Sequence, residues 1–323
     1  MLKLYHSPEV PSLLLLYDAL LPRMHLSSQE KQKREQIFKG FVGESLFKEL
    51  LPKNGLEKVI PLFDLRLEAN EAEFQIDAIF VCADTFYLFE VKNYTGDYYI
   101  HHDKIFSMKS KREIYDPFLQ LGRSTYFFKS FLSSLGIKEE VESFVVFIND
   151  EFTLYQASPN LSMLLPTQVR RFLQKLYANA RSVQRRHVEI AEMICARHKA
   201  QSSYERLPTY ELDELRRGVF CPRCAIKMER KNRHRFICPR CDDTFCLEDA
   251  IIYATAEFCL LFPKNNITPK TIADWCGNSI SERSVRRALQ QHLHFHENGK
   301  HSFYYFPENE DHLKVLNRFR CYF

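Results

Sequence analysis

What this 323-residue sequence lacks narrows its possibilities first. It contains no apolar run approaching the roughly 20 consecutive residues that a membrane-spanning helix needs, so no membrane-embedded role is expected. The most apolar stretch near the start, residues 12–21, is broken by Asp18. No basic run precedes it and no small-residue cleavage site follows it. It therefore reads as a short amphipathic helix packing on the core of the domain after it, not as a secretory leader. No phosphate-cradling Walker loop is present, so any ATP-driven step would come from a partner protein such as a helicase. A net charge of +4 says nothing by itself about partners. Nothing supports an oxidising compartment, and the expected setting is cytoplasmic.

Against these absences, a few charges stand in apolar surroundings. Residues 74–81 and 86–91 read as neighbouring strands joined through Ala83-Asp84-Thr85. Side chains alternate along a strand, so Glu90 and Lys92 share a face, and antiparallel pairing would bring Asp77 beside Glu90. Two carboxylates in an apolar layer repel unless a cation lies between them or one keeps its proton. A divalent cation takes oxygen ligands, and a nearby lysine can hold an attacking water or a strained phosphate. The bland reading of Glu-x-Lys is a solvated strand edge, and the apolar residues on both faces of these strands argue against it. Residues 37–51 have helical apolar spacing, with Glu44 on or near the apolar face. Asp116 caps a second helix, Pro117 lies in its first turn, and it runs to about Ser134. Residues 143–148 form a further buried strand.

Gly43-Glu44, Gln75-Ile76-Asp77, Glu90-Val91-Lys92-Asn93-Tyr94-Thr95-Gly96 and Pro117-Phe118-Leu119-Gln120, in that order, resemble the nuclease-related domain, or NERD. That domain is similar to the PD-(D/E)xK phosphodiesterase superfamily, and the resemblance covers residues 35–150. It implies an α/β (α+β) fold: a helix, a mixed sheet of about four strands, then a helix and a strand. It also implies roles. Asp77 and Glu90 are ligands for Mg or Mn, Lys92 sits at the nucleophile, Glu44 is a supporting acid, and Gln75 and Gln120 position the site. Asn93 and Tyr94 follow the lysine and are candidates to touch a substrate backbone. His101 and His102 read as loop or edge residues.

The remaining sequence is unevenly charged. Residues 170–240 carry 18 Lys and Arg against 7 Asp and Glu. Two helices there are either linkers with solvated basic faces or a phosphate-tracking surface whose binding would be salt-sensitive. Cys221-Pro222-Arg223-Cys224 and Cys238-Pro239-Arg240-Cys241 repeat one motif, with strands expected at residues 225–230 and 234–237. Two such turns present four thiolates to a tetrahedral zinc, a closed and therefore structural set. The rival is a pair of disulfides. Cys246 is a spare ligand or a core thiol, and Cys82, Cys195, Cys259, Cys276 and Cys321 read as small buried hydrophobes.

Residues 250–262 read as an apolar helix. Thr268 and Pro269 start the next, Gly277 ends it, and Ser281 caps a third helix to about His292. A hairpin follows around Asn298-Gly299. This order resembles a winged helix-turn-helix, whose second helix exposes Arg283, Arg286, Arg287, Gln290 and Gln291 over buried Val285 and Leu289. Those side chains suit base edges in a major groove, although a protein-interaction domain has the same outline.

The expected organisation is a helical lead-in (1–36), a nuclease-like domain (37–155), a basic helical region (156–217), a zinc ribbon (218–248) and a winged helix-turn-helix-like domain (249–323). Two functions follow: a metal-dependent nuclease acting on nucleic acid, DNA first, or a non-catalytic nucleic-acid-binding or regulatory protein that keeps the fold.

Overall fold

The computed structural model describes residues 10–52, 57–199, 207–307 and 311–320. These divide into two compact units, the first drawn from residues 38–206 and the second from 10–37 and 207–323. Cys321 lies outside the described residues.

Two helices open the described chain, α1 (Ser12–Leu20) and α2 (Ser28–Glu49). Every residue of α1 from Leu13 to Leu20 is buried, as a helix that is apolar all round requires. It does not pack on the nuclease-like core expected from sequence. Leu13, Leu15, Leu16 and Leu20 instead join Ile252, Phe258 and Trp275 in the core of the second unit. Asp18 is no mark of a solvent face either, because Arg34 (2.5 Å) and Arg320 (3.0 Å) neutralise it where it is buried. A capping box starts α2, with the Glu30 carboxylate accepting from the Ser27 amide at 2.7 Å and Ser27 Oγ accepting from the Glu30 amide at 3.2 Å.

In the first unit follow β1 (Ile60–Ala69), β2 (Ala72–Val81), β3 (Thr85–Lys92), β4 (Gly96–His101), β5 (Lys104–Ser107), α3 (Pro117–Ser134), β6 (Glu140–Phe147), β7 (Phe152–Tyr155), β8 (Met163–Leu164), α4 (Pro166–Asn179) and α5 (Arg185–Ala196). The main sheet is five-stranded, in the order β1-β2-β3-β6-β8. The first three strands form an antiparallel meander, while β3, β6 and β8 run parallel. A parallel neighbour needs a long crossover, and α3 lies within the one from β3 to β6. The cap predicted for α3 is in place, with Asp116 Oδ1 accepting from the Phe118 amide at 2.8 Å. A separate three-stranded sheet has the order β5-β4-β7.

The two basic helices, read from sequence as linkers or as a phosphate-tracking surface, close the two faces of the main sheet. Val169, Leu173 and Tyr177, four apart on α4, pack with Phe63, Phe80 and Phe89. Ile190, Ala191 and Ile194 of α5 pack on the other face with Leu62, Ile79 and Phe128. Several of their arginines are tied by ion pairs, Arg181 to Asp84, Arg185 to Glu189 and Arg186 to Glu139.

The second unit continues with β9 (Glu229–Asn232), β10 (Arg235–Ile237), β11 (Thr244–Cys246), α6 (Leu247–Leu261), α7 (Pro269–Trp275), α8 (Glu282–His292), β12 (His294–His296), β13 (Phe303–Tyr305) and α9 (His312–Phe319). α6 is its hub, and α1, α7, α8 and α9 all pack on it. The caps at Thr268 and Ser281 form as the sequence predicts, each hydroxyl accepting an amide three residues on. Gly277, at φ +69°, sits just past α7 in the left-handed conformation that favours glycine. The strand expected at residues 225–230 lies later, at β9. Cys246 is neither spare ligand nor core thiol. It is exposed, and its Sγ accepts from the Asp249 amide at 3.3 Å as the cap of α6.

Candidate active site and metal centre

The acidic site begins as a defect in strand alternation. Along β1, Ile60 and Leu62 face α3 and α5, but so do Leu65 and Leu67, one step out of phase. The partner β2 does the same, with Phe74 and Ile76 and then Ile79 and Val81 on that face. Both breaks fall where Asp64 stands across from Asp77, between the pairs Phe63↔Ala78 and Leu65↔Ile76. Asp64 takes φ +45°, a left-handed conformation uncommon for a non-glycine residue inside a strand.

The β2–β3 ladder has its last pair at Ala78↔Phe89, so its register carried one step further sets Asp77 against Glu90, as expected from sequence. There a side chain replaces the ladder, with Asp77 Oδ2 accepting from the Val91 amide at 2.7 Å. Asp77 is 9% exposed and Glu90 2%. Lys92 Nζ donates to Glu90 Oε1 at 2.6 Å and to Gln120 Oε1, on the first turn of α3, at 3.0 Å. Glu44 on α2 completes the group electrostatically. Burial, then the charges of Asp77, Asp64 and Glu90, hold its carboxyl well above the usual range. Burial and Glu90 do the same to Asp77, against the pull of Lys92 and the Val91 amide. Glu90 is also raised by burial, with Lys92 opposing. Burial works against the Lys92 ammonium, but Glu90 and Asp77 outweigh it and hold its pKa up.

The structure thus brings together Glu44, Asp77, Glu90, Lys92 and Gln120. It treats Gln75 differently, leaving it exposed with Nε2 donating to Asp64 Oδ1 at 2.9 Å. Asp64 is the residue that sequence reasoning missed. The available signal was a carboxylate inside an apolar strand, between Phe63 and Leu65. Asn93 is engaged internally, its amide donating to the Lys39 carbonyl at 3.1 Å and its oxygen accepting from Asn149 at 2.8 Å. The Gly43 of the motif answers to the same contact, since a Cβ there would lie 2.8 Å from the Asn93 Cβ. Tyr94 packs inward against Tyr98 and Phe147.

The mutual repulsion is testable without substrate. A carboxyl whose folded pKa exceeds its unfolded value binds protons on folding, so metal-free stability falls as pH rises through that window. Asp77→Asn removes the charge and keeps an oxygen for the Val91 amide. Metal-free Asp77→Asn protein is expected to melt above wild type at neutral pH, by about 2–4 °C per kcal/mol relieved. The gap should close as pH falls to about 4, where the unfolded carboxyl also protonates. Calorimetry at the two pH values checks this, and a lower melting point at neutral pH contradicts the charge cluster.

A second cluster lies in the C-terminal unit. Cys221, Cys224, Cys238 and Cys241 bring their sulfurs within 4.8 Å of one another, the only such ligand group among the described residues. Cys224 and Cys238 are 3.3 Å apart, and Cys241 lies 3.6 Å from Cys221 and from Cys224. Burial pushes the Cys238 thiol up, but the amides of Arg240 and Cys241 and the facing thiols bring it down to about 7. All four residues lie in or against the second unit's core, beside Phe236 and Phe245.

On α8, Arg283, Arg286, Arg287, Gln290 and Gln291 are exposed above buried Val285, Ala288 and Leu289. No described helix is long and apolar enough to cross a membrane.

No curated protein and no solved structure matches the chain. A family model does match, the nuclease-related domain, over residues 39–148. That span contains Glu44, Asp64, Asp77, Glu90, Lys92 and Gln120, and this part of the chain is a NERD domain.

Proposed function

We propose that the NERD domain hydrolyses phosphodiester bonds of nucleic acid, DNA first, at the group formed by Asp77, Glu90 and Lys92. The observation carrying this reading is two buried, mutually repelling carboxylates beside a lysine held between Glu90 and Gln120. Such a group fits a divalent cation, because burying like charges without one is costly. Asp77 and Glu90 would hold Mg or Mn, with Glu44 behind them, and the ion when bound stabilises charge on the scissile phosphate. Lys92 keeps its proton beside two carboxylates, so its part is to donate a hydrogen bond, not to act as a base. It would orient the attacking water or a phosphate oxygen by exchanging the Gln120 contact for it. Gln75 acts on the site through Asp64.

The second unit would supply zinc and grip. Tetrahedral Zn–S bonds of about 2.3 Å set sulfurs about 3.8 Å apart, close to the spacings of the four cysteines, and leave no open position for catalysis. The order α7, α8, β12, β13 resembles a winged helix-turn-helix, with Ile267 bridging Tyr304 beside the hairpin. Arg283, Arg286, Arg287 and Gln290 would read a duplex groove, and the three arginines make no ion pair among the described residues.

Incubation of supercoiled plasmid and of single-stranded DNA with Mg or Mn tests the reading. Wild type should cleave, and Asp77→Ala and Lys92→Ala should each lose about 100-fold or more. Equal cleavage by all three proteins would remove the site from the assignment. No cleavage by wild type would favour a non-catalytic nucleic-acid-binding protein, the reading to which the Lys92–Glu90 contact at 2.6 Å also lends itself.

A further inference from the structure

The second sheet of the first unit turns one face to a hydrophobic cluster and carries partly exposed aromatic rings on the other. Tyr98, Ile100, Ile105 and Leu154 turn inward and pack with Phe147 and Phe152. Tyr99, Phe106 and Tyr155 belong to the opposite face. They are also in register, Tyr99 pairing with Phe106 on β5 and with Tyr155 on β7. Three aromatic residues therefore form one row across three strands. The Tyr99 and Phe106 rings lie 5.5 Å apart and nearly parallel, at 21°. Tyr155 is 50% exposed. His101 extends the row, 6.5 Å from Phe106.

Basic residues gather beside this face. Lys111 Nζ stands 6.0 Å from the Tyr99 ring centroid. Lys104 is balanced by Glu113 at 2.8 Å, and Asp97 lies at the start of β4. Lys109, Lys111 and Arg112, clustered after β5, make no ion pair among the described residues. Tyr99 and Phe106 are half-buried and Tyr155 is exposed, and none of the three rings joins a hydrophobic cluster among the described residues, so a core-forming role does not account for them.

We propose that the Phe106–Tyr99–Tyr155 row is a stacking platform for unpaired bases of single-stranded nucleic acid, with Lys109, Lys111 and Arg112 on its backbone. Bases present their ring faces only when unpaired, whereas a duplex offers groove edges and phosphates. Open sheets lined with aromatic rings and cations bind single strands in this way. β4 starts four residues after Lys92, at most about 14 Å along the chain, so a strand on the platform lies close to the acidic site. The proposal rests on the nucleic-acid reading above and names the form of the substrate.

Binding is measured on the full chain without added divalent metal, so that a catalytically silent protein still gives a result. Fluorescence anisotropy with a labelled oligothymidylate of about 20 nucleotides and a duplex of equal length is the assay. Tyr99→Ala and Phe106→Ala are each expected to weaken single-strand binding about tenfold and leave duplex binding unchanged. Tyr99→Phe keeps the ring and should stay within about twofold of wild type. Tyr155→Ser, on the solvent side of the sheet, should match the alanine losses without disturbing the packing beneath. Lys111→Gln should reduce the slope of log affinity against log salt by about 0.7. A strand carrying 5-bromouracil, irradiated in the complex, should cross-link within residues 97–112 or at Tyr155. Unchanged affinity in the Tyr99, Phe106 and Tyr155 variants, or cross-links confined to residues 207–323, would overturn the platform and leave this face to another kind of partner. Loss of cleavage with single-strand binding intact would instead count against the nuclease reading alone.

Discussion

Cys238→Ser is expected to empty the cysteine cluster of zinc and unfold the small sheet β9–β11 with it. Mass spectrometry of the native chain should find about one zinc per wild-type chain and almost none in the variant. The expected effect is large because a segment of about 30 residues buries too little apolar surface to fold alone. Structural zinc in peptides of this size contributes about 10–16 kcal/mol, and that binding energy is the folding energy. The loss would not stay local. Cys221 and Cys238 are 2% and 0% exposed and share one core with Met228, Phe236, Phe245 and residues of α6. Thermal unfolding of the second unit should therefore begin well below that of wild type, and a strong zinc chelator should reproduce the shift. Cys246→Ser is the internal control. Its Sγ caps α6 and donates to Asp249 Oδ2 at 3.0 Å, and a serine hydroxyl can do both, so zinc content and stability should hold. A Cys238→Ser protein that melts like wild type and keeps its zinc would end the assignment.

The candidate site was legible wherever its chemistry is local. Glu90 and Lys92 share a strand face because strands have period two, and Asp116 with Pro117 announces the helix that delivers Gln120. Asp64 was hidden because its role depends on where two strands lose phase. That break is made jointly by residues 64 and 77, and neither strand shows it alone. Gln75 shows the converse. It was read as a positioning group from its place in the motif, and its exposed side chain is spent on Asp64. In the second unit, hydroxyl caps at Thr268 and Ser281, the glycine after α7 and the buried positions of α8 could be read directly, since each is fixed by its neighbours. The placement of α1 could not. An apolar helix declares that it will be buried, but not which core will take it, and periodicity carries no information about a partner more than 200 residues away.

That partnership gives the other large expected effect, at Arg23. Its guanidinium is fully buried, with its carbon 3.8 Å from the Trp275 ring centroid and 4.7 Å from that of Phe220. One terminal nitrogen donates to Glu257 at 2.7 Å and to the Gly218 carbonyl at 3.3 Å, and the other to the Arg216 carbonyl at 3.0 Å. Arg320 joins the same network, 3.5 Å from Glu257 and 3.0 Å from Asp18. With Arg34 also on Asp18, three arginines and two carboxylates form one network, and three of the five come from residues 10–37. Removing one member of a buried pair costs about 3–5 kcal/mol, because its partner keeps its charge without water. Arg23→Met should therefore lower the unfolding free energy of the second unit by about that amount, read from denaturant titration, with two carbonyls also left without donors. Arg23→Lys should recover only part, since an ammonium lacks the fork that reaches Glu257 and the carbonyls together and stacks less well on Trp275. Adding Glu257→Leu to Arg23→Met removes the stranded charge and should cost less than the two single losses combined, a coupling that a double-mutant cycle reads directly. Additive losses would mean that the two groups act independently. The same physics bears on how the chain is divided. A fragment beginning at residue 207 keeps Glu257, Arg320 and α6 but loses Arg23, Asp18 and the leucines of α1. It is expected to be unfolded by circular dichroism even with zinc present, and to recover helix when residues 10–37 are joined to it.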